Sequence, residues 1–145
     1  MPGIVVGVDG SAHSRHALGW AMREAAVHHH PLTVITVRRG TVRPATEIYW
    51  PMPDYPEGTS GDEESVRKAI QKMVDETAAE MGHPVPDVTV AVATGNPAEE
   101  LVRASRDADM LVVGSHGSGG FASLLLGSVS SQAVHHATGP VVVVR

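Results

Sequence analysis

Residues 110–130 read MLVVGSHGSGGFASLLLGSVS: an apolar run closing on a glycine, a loop of glycine and serine, then a Gly-Ser pair where helical spacing begins. Strand, glycine-rich turn and helix start in that order put backbone N–H groups beside the positive end of a helix, an arrangement that favours anions. The spacing is G-x2-G-x9-G-S, with Gly114, Gly117, Gly127 and Ser128 at the fixed positions and Ser130 one helical step on. Glycine lets the backbone approach a phosphate closely and adopt positive φ. The segment reads as a phosphate cradle, against the plainer reading of a flexible loop feeding a capped helix.

Outward from this stretch, four more apolar runs end in turn residues: Ile4–Val8, Leu32–Val37, Val88–Ala93 and Val141–Val144. With Met110–Val113 they predict five strands. The runs are nearly continuous, and valine outnumbers leucine 22 to 7, as expected of parallel strands covered on both faces. Helical stripes fill the intervals. Ala17, Leu18, Ala21, Met22 and Ala25 form one within 11–30, which Ser11 can cap. Val66, Ala69, Ile70, Met73, Val74 and Thr77 form a second, opened by a Ser60/Glu63 capping box and stopped after Met81 by Gly82 and Pro84. A third starts at Asn96 with Pro97 in its first turn and Glu99 at the capping-box position, carries Leu101 and Val102 inward and ends near Asp107. The fourth starts around Ser128, carries Val129, Ala133, Val134 and Ala137, and breaks at Gly139-Pro140.

The order βαβαβαβαβ predicts a doubly wound three-layer α/β sandwich around a five-stranded parallel sheet. A chain of 145 residues and 15.2 kDa is the usual size of one domain, so 1–145 is expected to be a single domain without repeat or linker. The exception to its regularity is Arg39–Thr59, with Pro44, Pro51, Pro53, Pro56, Tyr49, Trp50 and Tyr55. It exceeds ordinary connections, and its aromatic residues could stack over a base or pin the loop to the body.

Composition removes several classes of function. Zero cysteines exclude disulfides, thiolate catalysis and cysteine-ligated metals. A formal charge of −5 disfavours nucleic acid as a partner, although nine histidines added to eleven basic residues against sixteen acidic ones would turn it to +4 once protonated. No run approaches the length of a membrane span, and the start Met-Pro-Gly-Ile lacks a signal-peptide pattern, so the expected compartment is the cytoplasm.

Ligands of such sheets lie beyond the carboxyl ends of the strands, where neighbouring crossovers diverge. With the first strand central and the fourth beside it, Asp9-Gly10-Ser11 and Gly114–Gly117 would face each other there. Asp9 is a ligand candidate or a turn-capping carboxylate. No Gly-Lys dipeptide occurs, which removes the Walker A loop. Gly117–Ala122 fits G-x-G-x-x-G/A, yet His135, His136 and the last strand stand where a dinucleotide site needs its acidic residue. Three histidine groups, His13 with His16, His28–His30, and His135 with His136, suggest metal, but adjacent helical side chains diverge and no carboxylate completes a set; the solvated reading is preferred. His116 could reach a phosphate or point to solvent. Arg38, Arg39 and Arg43 read as a solvated basic edge.

The Asp9-Gly10-Ser11 turn, the Asn96-Pro97 helix start, the complete G-x2-G-x9-G-S segment and the closing Pro140–Val144 strand together resemble the universal stress protein family, in its ATP-binding branch. The likeness covers nearly the whole chain, the proline-rich loop excepted. It implies the sheet order 3-2-1-4-5, with Asp9 beside Gly114. It implies ATP or AMP as ligand, with Gly117, Gly127, Ser128 and Ser130 on phosphates and ribose, Val129 contributing backbone, and Val37 reading the adenine edge through its backbone. Asp9 would approach the ribose or a phosphate-bound metal ion such as Mg²⁺. Gly114, and less directly Gly10, Ser11 and His116, complete the candidate set. Ser118 departs from the family, whose members often carry arginine there. An apolar terminal strand invites pairing by itself, and the resemblance likewise implies a two-fold dimer through antiparallel Val141–Val144 strands. The expected function is a nucleotide-binding stress or regulatory protein; a slow ATPase and a nucleotide-free scaffold are the alternatives. No general base or arginine finger stands out.

Overall fold

Strands and helices alternate as expected in the computed structural model, which describes residues 3–38, 62–82, 87–116 and 126–145. They are β1 (Ile4–Gly7), α1 (Ala12–His28), β2 (Leu32–Arg38), α2 (Glu63–Met81), β3 (Val88–Thr94), α3 (Pro97–Ser105), β4 (Met110–Gly114), α4 (Ser128–His136) and β5 (Val141–Val144). All neighbouring strands are parallel, in the order β3-β2-β1-β4-β5.

Alternate strand residues point to opposite faces, and both faces are covered. Ile4, Val6, Val34 and Val112 pack with Leu18 and Met22 of α1 and Ile70, Met73 and Val74 of α2. Val5, Ile35, Leu111 and Val113 pack with Leu101 of α3 and Ala133 of α4. Two-sided burial is why the strand sequences run apolar without alternation. It is complete for β1 and partial for β5, whose four valines are half-buried.

Local chemistry fixes the helix ends. Ser11 accepts the Ser14 N–H at 3.2 Å, and Asn96 accepts that of Glu99 at 3.1 Å with Pro97 following. Gly82 closes α2 in the left-handed region at φ 73°. Two readings change. The cap of α2 is Asp62, whose carboxylate accepts the Ser65 N–H at 2.7 Å; Ser60 lies outside the described residues. An ionised cap complements the positive helix end better than a hydroxyl, and hydrogen bonding with Ser65, first through its side chain and then its main chain, holds the Asp62 carboxyl below its ordinary range. Val134 and Ala69 are exposed rather than inward. α4 packs through Ser130 and Ala133, which sit one turn apart, and Val134 falls on the far side of Ser130, about 100° round the helix from Ala133.

The two edges of the sheet differ. Leu32 N–H donates to Asp87 O and Gly95 N–H to Arg38 O; the parallel ladder therefore turns Asp87, Thr89, Ala91, Ala93 and Gly95 toward β2 and leaves the peptide groups of Val88, Val90, Val92 and Thr94 facing outward. Arg67 of α2 reaches over this edge and donates to Val90 O at 2.7 Å, while its other nitrogen holds Glu63 at 3.1 Å. On β5, Pro140 O accepts from Leu111 and Val144 O from Ser115, so Val141 and Val143 are the residues whose peptide groups face outward. No helix among the described residues is long and apolar enough to cross a membrane.

Candidate functional site

β1 and β4 are hydrogen-bonded neighbours whose crossovers leave for opposite faces, and the loops after them meet at the carboxyl end of the sheet. The first loop is a tight turn. Asp9 Oδ1 accepts the Ser11 N–H at 2.9 Å, Ser14 Oγ donates to Ser11 O at 2.9 Å, and Gly10 sits at φ 85°, which a side chain would resist. Asp9 is thus half-buried and held by the turn it closes.

The second loop leaves β4 at Gly114, against the first turn of α1. A Cβ there would lie 3.0 Å from both the carbonyl carbon and the oxygen of His13, a tight contact that the main chain of α1 would have to yield to accommodate. Gly114→Ala is therefore expected to push β4 and α1 apart and destabilise the fold by about 1–3 kcal/mol, measured by urea unfolding; an unchanged midpoint would refute the close approach.

Ser115 follows, only 2% exposed, and its peptide joins three elements. Its N–H donates to Val144 O of β5 at 2.8 Å, and its carbonyl accepts the Gly127 N–H at 2.6 Å and the Ser130 hydroxyl at 2.9 Å. These bonds bring Gly127, Ser128, Val129 and Ser130 to the end of β4. Gly127 caps α4 without a side chain, and helix geometry leaves the N–H groups of Ser128, Val129 and Ser130 without an acceptor inside α4. That end of α4 can receive an anion. Ser128 is exposed and Val129 half-buried, but Ser130 is 2% exposed with its hydroxyl turned to the loop base. Gly117 and Ser118 lie outside the described residues, as do Arg39–Thr59. Val37 is the penultimate residue of β2, one strand beyond β1, half-buried on the α3 face.

One pairing was not readable from spacing. The ring of His116 meets that of His13 at 5.1 Å between centroids, and its Nδ1 lies 3.1 Å from Ser115 Oγ. His13 Nδ1 is buried and has no hydrogen-bond partner among the described residues. Helical spacing groups His13 with His16, three residues on, rather than with His116. His28 meets Glu24 at 3.3 Å and His30 meets Asp109 at 4.0 Å; among the described residues no three His, Asp or Glu side chains gather as a metal site.

Residues 2–145 match the sequence profile of the universal stress protein family; the chain belongs to that family. A universal stress protein of Mycolicibacterium smegmatis is 40% identical over 147 residues, and Universal stress protein Rv2005c of Mycobacterium tuberculosis 38% over 148; each alignment covers 99% of this chain and 48% of the relative. The chain thus spans about half the length of these curated relatives. Among solved structures, a universal stress protein in complex with cAMP superposes with a TM-score of 0.68 at 27% identity, covering 99% of this chain and 96% of its own. The Archaeoglobus fulgidus universal stress protein in complex with dAMP gives 0.64 at 19%, covering 100% and 98%.

Proposed function

We propose that this chain, read as one nucleotide-binding domain over 1–145, holds an adenine nucleotide, ATP or AMP, between the carboxyl ends of β1 and β4 and acts as a stress-response or regulatory binding module. The observation that carries the reading is the uncapped N-terminus of α4, pinned to the end of β4 opposite the Asp9 turn. Family membership and the cAMP-bound relative support it. Gly127, Ser128 and Val129, with Gly117, take the phosphates, while Asp9 with Gly10 and Ser11 faces the ribose side. Val37 offers its backbone to adenine, and His116 stands beside Gly114 at the loop entrance. Asp9 is the one carboxylate in this set, which suits a Mg²⁺ ion held largely by the nucleotide's own phosphates and by water. Such a regulator works where the ATP pool is, in the cytoplasm.

Titration of nucleotide-stripped protein with ATP, ADP, AMP and cyclic AMP, with and without Mg²⁺, tests this. Saturable heat with at least one of them is expected; none with all four would overturn it.

The nucleotide is held rather than consumed. Phosphoryl transfer needs a positioned nucleophile and charge aimed at the transition state. The groups proposed on the phosphates are backbone N–H and hydroxyl, with Ser118 neutral and His116 as the candidate cation, and they bind ground and transition states almost alike, which does not accelerate chemistry. Single-turnover hydrolysis of labelled ATP is expected well below the roughly 1–1000 per second of ordinary enzymes, and Ser118→Arg should tighten ATP more than AMP without matching turnover. A rate near about one per second, lost in Gly127→Asp, would make the protein an ATPase.

Two copies pair through β5. Antiparallel pairing about a two-fold axis at Val142 sets Val141 of one protomer against Val143 of its partner, so every outward peptide group of the strand finds a hydrogen bond.

A further inference from the structure

The nucleotide reading places Ser130 at the phosphates, yet its hydroxyl is already engaged inside the loop base. Its side chain is 2% exposed, and its hydroxyl lies 2.9 Å from Ser115 O and 3.1 Å from Gly127 O. A hydroxyl has one proton to donate. Each of these carbonyls also accepts one backbone N–H, Gly127 O from Ser131 at 2.9 Å and Ser115 O from Gly127 at 2.6 Å, so the shorter contact decides, and it closes the gap between strand and helix. With the Gly127 N–H at 2.6 Å on the same oxygen, two donors from α4 converge on the last turn of β4.

We infer that Ser130 is a positioning residue: acting through the Ser115 carbonyl, it clasps the first turn of α4 to the end of β4 and so aims the Ser128 and Val129 N–H groups at the phosphate of a bound nucleotide. This rests on the nucleotide reading for its ligand, though the clasp itself does not. Three physical points support it. The hydroxyl is buried, and both of its contacts are main-chain carbonyls of the loop base. The clasp ties the turn to the parallel sheet through Ser115 N–H and Val144 O, 2.8 Å apart. Gly127 brings no side chain to cap α4, so the turn is held in register by main-chain bonding at Gly127 and by the Ser130 hydroxyl.

The role separates phosphate from nucleoside. Ser130→Ala is expected to weaken ATP and AMP about tenfold, the effect of one lost hydrogen bond, while adenosine, measured by competition, stays within about twofold. Ser130→Thr, which keeps the hydroxyl, should recover the phosphate-dependent affinity. Hydrogen exchange at the Gly127 amide, read on ligand-free protein, should quicken in Ser130→Ala and return in Ser130→Thr. Equal losses for adenosine and ATP would overturn the positioning role in favour of a general packing effect, and an unchanged Gly127 exchange rate would overturn the clasp. If the wild-type protein bound no adenine nucleotide, the nucleotide reading would fall, and the Gly127 exchange would still decide the clasp.

Discussion

Gly127→Asp is expected to abolish nucleotide binding, with affinity for ATP and AMP falling more than about a hundredfold, while the protein stays folded. Gly127 holds the N-cap of α4 at φ −75° and ψ 173°, an extended conformation open to any residue, and aspartate is among the best N-caps. The new carboxylate would accept the helix N–H groups that a phosphate needs and place its own negative charge where the phosphate must sit. The substitution thus converts the site into one filled by the chain itself. Thermal unfolding should move little, and calorimetric titration should be flat. Unchanged ATP affinity in the folded variant would remove α4 from the site.

Val142→Lys is expected to separate the protomers, raising the dimer dissociation constant at least about a hundredfold. In the register proposed above, residue 142 lies on the two-fold axis and faces itself across the new ladder. Two ammonium groups directly opposite repel, and the half-buried valine packed toward α1 is lost from both copies. Light scattering across a concentration series reads the outcome. A variant that remains dimeric, or a wild-type protein that is monomeric at micromolar concentration, would move the interface away from β5.

How much of this was legible depends on how local the deciding physics is. Strand limits agreed to within a residue because burial on both faces leaves no polar interruption between the turns. Ser11, Asn96 and Gly82 declared the helix ends through contacts three or four residues away. The choice of Asp62 over Ser60 was harder: both residue types cap, and how the chain enters α2 decides between them. Val134 misled because an apolar residue one step from the buried stripe looks the same in a nine-residue helix as one within it. Periodicity indicated a doubly wound sheet, but the adjacency of β1 and β4 came from the family resemblance, since no spacing encodes which strand lies beside which. The same is true of the site. Its glycines and serines stood at recognisable intervals, whereas the inward turn of Ser130 depends on a carbonyl fifteen residues earlier, and the contact of His13 with His116 joins distant parts of the chain.

The guanidinium that Arg67 lays on the Val90 carbonyl has a consequence for how large an assembly can become. In the proposed dimer, two copies joined along β5 would form one continuous sheet of ten strands, twice the five of each chain, and both of its ends would be β3. An uncovered edge of seven residues would be a template for a third copy and a fourth, and hence for a fibre. With the Val90 acceptor at each end already occupied, held there by a side chain that Glu63 braces, the proposed dimer would meet an obstacle to further strand pairing at both ends.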